Sequence, residues 1–351
     1  MFTKKVLSLI LLVVVVATGG YYYWKVNANA IPERVYPITI GIIQWIKPID
    51  AAVDGFKEEM TKLGYTEGDK VVYTYTLVNA DAKKSREVAD QYVDDNVDLI
   101  YAITSQPAIA ALASTKEKGR TDIPIIFAHA DQPIGDQIVA SYKSSGNNAT
   151  GVAADIPGLT PKKLEFLQRM RPDIKKIGFF NSTEARNNHS GPAMLEEIRK
   201  DAPAVGMEVV EYEVKSPPGP ASIVEMQKIA DAIQSGDIQA MLYPTGTTVA
   251  QADAKKIAIG LQNRLKIPIA FVTGGDVQLG GLFAYTADYA VVGRQAADIA
   301  DKVLRGTQPT DIPTEFPEKD DLLFNLKAAK DIGLTIPADL LQIGSVLVPA
   351  N

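Results

Sequence analysis

A chain of 351 residues exceeds one ordinary core, and 46% hydrophobic with 22% charged residues describes a folded protein of two domains, not a disordered one. The absence of cysteine excludes disulfides, thiolate nucleophiles, iron–sulfur clusters and a lipid-bearing cysteine. A net charge of −6 without clustered Lys and Arg argues against a nucleic-acid partner.

The first thirty residues carry Lys4 and Lys5, an uncharged apolar run over 6–17, the aromatic cluster Tyr21 to Trp24, and Ala28-Asn29-Ala30. Two readings stay open. In one, residues 1–30 are a secretory signal peptide cut at the small-residue site. In the other they are an uncleaved membrane anchor, since 6–24 makes roughly 28 Å of helix and the aromatics would mark the outer interface. Either way the rest is placed outside the cytoplasm.

After a linker, residues 38–43 form a near-continuous apolar run, the mark of a strand covered on both faces of a parallel sheet. Gln44 to Lys47 then make a loop, and Pro48 suits the first turn of a helix. Ala52, Phe56, Met60 and Leu63 recur at helical spacing, and Gly64 ends the helix. The same unit returns along the chain. Strands are predicted at 71–78, 99–104, 124–128 and 147–155, with helices at 82–95 and 108–118. The rhythm restarts with a helix at 164–170, strands at 176–180, 208–214, 240–243 and 268–272, and helices at 192–200, 222–234 and up to 265. A strand at 282–286 and a long helix at 289–304 follow, then a short strand and helix at 322–326 and 328–332. This alternation, twice over, predicts an α/β protein of two Rossmann-like parallel-sheet lobes joined by a multi-stranded hinge. The first lobe is expected to span 36–153 plus about 282–310, and the second 154–281 plus about 311–345.

The series GIIQWIKPIDAAVDGFKEEMTKLGYTEG, SQPA, DQPIG, NNATGV, NSTEARN, YPTGTTV, GGLFAYTADYAVVGRQAADIADKVLRG and NLKAAKDIGLTIP occurs in this order. Together these residues resemble the ABC-transporter substrate-binding family that includes tryptophan- and aromatic-amino-acid-binding proteins. The resemblance spans roughly 38–340. It implies a type I periplasmic-binding-protein fold, a small amino-acid-like ligand in the interlobe cleft, ABC permease subunits as partners, and no catalysis. Several positions depart from the family pattern. Gln132 stands between Asp131 and Pro133 after an unusual His129, the first loop of the second lobe reads Ser182-Thr183 and ends Arg186-Asn187, and the family's acid appears as Asp276. These departures fall at the cleft and leave the ligand's identity open.

Ligands of open α/β sheets bind beyond the carboxyl ends of the strands. The loops there offer Gln44, Trp45, Ser105, Gln106, Asp131, Asn181, Glu184, Arg186, Asn187, Thr245, Thr247 and Asp276 as candidate contacts. Helix N-termini with Ser105, Thr245 and Thr247, or a bidentate Arg186, suit a carboxylate. Asp131, Glu184 or Asp276 suits an ammonium, and Trp45 an apolar or aromatic side chain. The plainer reading of the hydroxyls is helix capping, and of Arg186 a solvated charge. His129 and His189 lack metal-site spacing, and no dinucleotide or phosphate loop occurs, so neither metal nor cofactor is expected. Those absences weaken an oxidoreductase or hydrolase. A membrane-anchored sensor built on the same fold remains the second reading.

Overall fold

The computed structural model describes residues 36–155, 158–182 and 190–349, the side chains of residues 190, 247 and 250 excepted. The expected leader or anchor at 1–30 lies outside them. Among the described residues, no helix is long and apolar enough to cross a membrane.

The first sheet has five parallel strands: β1 (Ile38–Gln44), β2 (Val71–Leu77), β3 (Leu99–Ile103), β4 (Ile125–Ala130) and β5 (Ala149–Ala153), in the order β2-β1-β3-β4-β5. Residues of β3, β4 and β5 are buried throughout, because helices cover both faces. On one face Ile38, Ile40, Ile42 and Tyr101 pack with α1 (Ala51–Lys62) and α10 (Tyr289–Leu304). On the other, Ile43, Ile100 and Phe127 pack with α2 (Ala82–Asp94) and α3 (Ser105–Glu117).

The second sheet runs β12-β11-β10-β9-β8-β6-β7, from β6 (Lys176–Ser182), β7 (Glu208–Val214), β8 (Ala240–Leu242), β9 (Ile269–Phe271), β10 (Phe283–Ala287), β11 (Asp320–Asn325) and β12 (Ser345–Val348). Its pairings are parallel except between β10 and β11. One face carries α4 (Thr160–Met170), α5 (Ser190–Asp201), α11 (Leu326–Asp331) and α12 (Ala338–Ile343). The other carries α6 (Pro220–Ala232) and α8 (Ala252–Leu265). Two short helices, α7 (Thr247–Ala250) and α9 (Gly274–Gln278), stand at strand ends.

Three details differ from the sequence reading. The segment 282–310 divides between the lobes: β10 pairs in the second sheet, while α10 and the turn that starts at Pro309 return to the first. The helix leading to Leu265 breaks where Gln251 turns extended (φ −68°, ψ 143°) and leaves α7 as a separate turn. The sequence reading also passed over α12 and β12, whose residues are mostly exposed and whose apolar stretches are only a few residues long.

The chain passes between the sheets after β5, after β10 and before β11. The last passage runs beside the first: the N–H of Ala153 donates to Glu315 O (2.9 Å) and that of Glu315 to Gly151 O (3.0 Å). Asp288 N–H donates to Lys319 O (2.9 Å), tying in the middle passage. Gln295 of α10 clamps the set, donating to Phe316 O and accepting from Glu318 N–H, each at 3.0 Å.

Candidate functional site

The carboxyl ends of the two sheets face one cleft that encloses about 760 Å³, part of it open to solvent. Its first wall starts where β1 ends. Gln44 is fully buried and turns away from the cleft, donating from Nε2 to Asp50 Oδ1 at 2.9 Å. The Tyr75 hydroxyl donates to the same oxygen at 2.9 Å, and Lys47 pairs with the other. Burial pushes the Asp50 carboxyl up, but bonds from Lys47, Gln44 and Tyr75 outweigh it and hold the pKa below its ordinary value. Asp50 therefore anchors the 3₁₀ turn Lys47–Ile49, which carries Ile49 into the cleft beside Trp45 and Ile46.

The next two strand ends are bent. Thr104, just before α3, adopts φ 81° and ψ 173°, a conformation that non-glycine residues hold only where surrounding structure enforces it. Its Oγ1 is buried without a hydrogen-bond partner. Ser105 Oγ accepts from Asp131 N–H at 3.1 Å and so ties the β3 and β4 ends together. The β4–β5 register shifts between Ala128 and Ala130. The residue squeezed out is His129, at φ 57°, with its ring 4.7 Å from that of Tyr289 on α10 and Nδ1 3.8 Å from Asp131 Oδ1. Burial, aided by the positive charge of Lys163 and opposed by a backbone hydrogen bond, lowers the imidazole pKa to about 4. His129 is neutral at neutral pH.

The opposite wall comes from the second sheet. Tyr243 is buried and donates to Val249 O (2.7 Å), fixing the loop through Pro244, Thr245 and Gly246. Gly246 sits at φ 138°, which only glycine adopts readily, and this puts α7 directly behind the loop. Thr245 Oγ1 is buried with no partner. At the β9 end, Thr273 N–H donates to Asp276 Oδ2 (2.9 Å) and Asp276 N–H to Thr273 Oγ1 (3.3 Å), a reciprocal cap of α9. Lys255 of α8 reaches the other carboxylate oxygen, Nζ to Oδ1 2.5 Å, with both side chains buried.

Of the candidates read from the sequence, Trp45, Ser105, Gln106, Asp131, Thr245 and Asp276 share this cleft. Gln44 stands behind the wall as a support. Asn181, at the β6 end, is not among the lining residues and donates from Nδ2 to Glu211 Oε2 (3.3 Å). Glu184, Arg186, Asn187 and the Thr247 side chain lie outside the described residues. The sequence reading passed over Ile46, Ile49, Thr104, His129, Tyr243, Val249, Lys255, Val272, Thr273 and Tyr289 as lining residues. Strand-end position was a usable signal for Thr104, Tyr243 and Thr273. None marked Lys255, one of two adjacent lysines inside a helix. Among the described residues, no group of three His, Cys, Asp or Glu side chains is placed to hold a metal ion.

A family model described as ABC transporter substrate binding protein matches residues 39–346. A tyrosine-binding protein of Clostridioides difficile (strain R20291) is 28% identical over 313 residues, covering 88% of this chain and 84% of that protein. Among solved structures, an ABC domain in complex with L-Trp from Streptococcus pneumoniae superposes with a TM-score of 0.75 at 24% identity, covering 88% of this chain and 99% of its own. A ligand-free, open substrate binding protein with adhesive properties from Clostridium difficile gives 0.69 at 24% identity, covering 89% and 99%. The structural likenesses establish the type I periplasmic-binding-protein fold.

Proposed function

We propose that this chain, which belongs to the ABC transporter substrate binding protein family, is an extracytoplasmic receptor that closes its two lobes on an aromatic amino acid or a related small carboxylate and delivers it to an ABC permease. The observation that carries the reading is the composition of the cleft. Trp45, Ile46, Ile49, Tyr243, Val249 and Tyr289 give it an apolar and aromatic wall, drawn from both lobes. Polar groups, among them Ser105, Asp131, Thr245 and Lys255, are set into that wall, which is how small-molecule sites combine affinity with orientation. A flat aromatic side chain gains most from such a wall, since ring-on-ring contacts add to area burial. Similarity to proteins named for binding tyrosine or tryptophan supports the ligand class. Binding needs no bond-breaking. A ligand that touches both lobes favours the closed arrangement by its differential affinity.

The test is thermal unfolding of residues 31–351 with L-tyrosine, L-tryptophan, L-phenylalanine and a panel of aliphatic amino acids, sugars and nucleosides. A ligand at one hundred times its dissociation constant stabilises the folded state by about 2.7 kcal/mol, a rise of several degrees in Tm. Trp45 is the one tryptophan after residue 30, so a fluorescence change on titration reports the cleft directly. A flat Tm for all aromatic amino acids would refute the ligand class. The apolar run at 6–17 favours a second reading, a retained anchor presenting the same receptor to a signalling partner. Mass spectrometry of the exported protein separates the two, since a cut after Ala30 leaves no anchor.

A further inference from the structure

We propose that Lys255 holds the ligand's carboxylate, so that the cleft selects small carboxylates over their decarboxylated analogues; this rests on the amino-acid reading above. Lys255 lines the cleft, yet its side chain is only 7% exposed. A buried ammonium is costly unless its charge is matched and its donors are used. It has three N–H donors. Among the described residues, Asp276 Oδ1 at 2.5 Å is its ion-pair partner. The other Asp276 oxygen accepts from Thr273 N–H. Asp276 is thereby held between Lys255 and its own helix cap. The pair presents N–H donors to the cleft.

A further observation points the same way. Thr245 Oγ1, on the same wall as Lys255, is buried with no partner, a hydroxyl ready to donate to an incoming anion. A ligand carboxylate satisfies the unused donors. The adjacent Lys256 has none of these properties. Its side chain is 73% exposed and pairs with Asp253 at 2.8 Å.

Calorimetric titration of L-tryptophan against tryptamine, and of L-tyrosine against tyramine, tests the assignment. The wild type and Lys256→Met are expected to favour the acid by about tenfold or more. In Lys255→Met that preference is expected to fall to within about threefold, with amine affinity nearly unchanged. Should Lys255→Met fail to fold around an unpaired Asp276, Lys255→Met/Asp276→Asn removes both charges and carries the same comparison. An undiminished acid preference in either variant would overturn the inference, as would a wild type that binds acid and amine alike. Failure of the wild type to bind any amino acid is a different result, and it overturns the amino-acid reading itself.

Discussion

His129 occupies a left-handed backbone position at the β4 bulge, pressed against Tyr289 and kept uncharged by its surroundings. In the unfolded chain an imidazole takes up its proton near pH 6.5; in the folded protein it resists until about 4. Between those values the unfolded state binds more protons. Stability attributable to this side chain is therefore intact above pH 6.5 and drains away as pH falls toward 4, by roughly 2–4 kcal/mol in all. His129→Asn keeps a residue that tolerates positive φ. The Tm of the variant is expected to depend less steeply on pH between 6.5 and 4 than that of the wild type. Parallel curves would show that the imidazole is not the titrating group. Side-chain roles at this scale were only partly legible. Strand ends flagged Ser105, Thr245 and Asp276, but the same signal also flagged Asn181, which is not among the described lining residues and bonds to Glu211.

At the scale of elements, the docking of α10 onto the first lobe depends on two glycines. A Cβ on Gly293 would lie 2.2 Å from Ala52 O, and one on Gly55 2.1 Å from Ala290 O. Helices α1 and α10 therefore cross with backbone against backbone, beside the stacked Phe56 and Tyr101 rings 4.1 Å apart. Gly293→Val forces the helices apart and is expected to cost about 3 kcal/mol or more in denaturant unfolding. Gly260→Ala in α8, where a new methyl meets nothing within 4 Å, should be neutral or slightly stabilising. Equal losses in the two variants would refute the close-crossing explanation. The long α10 itself was plain from its apolar spacing, because one face is buried along its length. Its destination was not, since Gly55 and Gly293 are 238 residues apart in sequence and neither hints at the other.

For the molecule as a whole, the lobes meet at the mouth of the cleft where Pro48 rests on Gly275. A Cβ on Gly275 would come within 2.6 Å of Pro48 Cβ. Gly275→Val is expected to hold the lobes apart while leaving each intact. Small-angle scattering should then give a larger radius of gyration in the presence of ligand, and affinity should drop by about tenfold or more, because the binding-competent arrangement becomes a minor population. Unchanged compaction together with unchanged affinity would count against closure through this contact. The three passages of chain between the sheets confine such motion to a hinge, with Gln295 fastening the 316–318 segment to α10.

By itself the sequence determined the repeated strand–helix units and the pairing of two α/β lobes, since doubly covered strands and amphipathic helices write their burial into local periodicity. The family was legible only through the resemblance of an ordered series of motifs. Which side chains share the cleft was decided by tertiary structure. Tyr289 enters it from a helix whose strand belongs to the other lobe, and Lys255 is distinguished from Lys256 only by the direction in which α8 presents it. Contacts of that kind join segments far apart in the chain, and no local pattern records them.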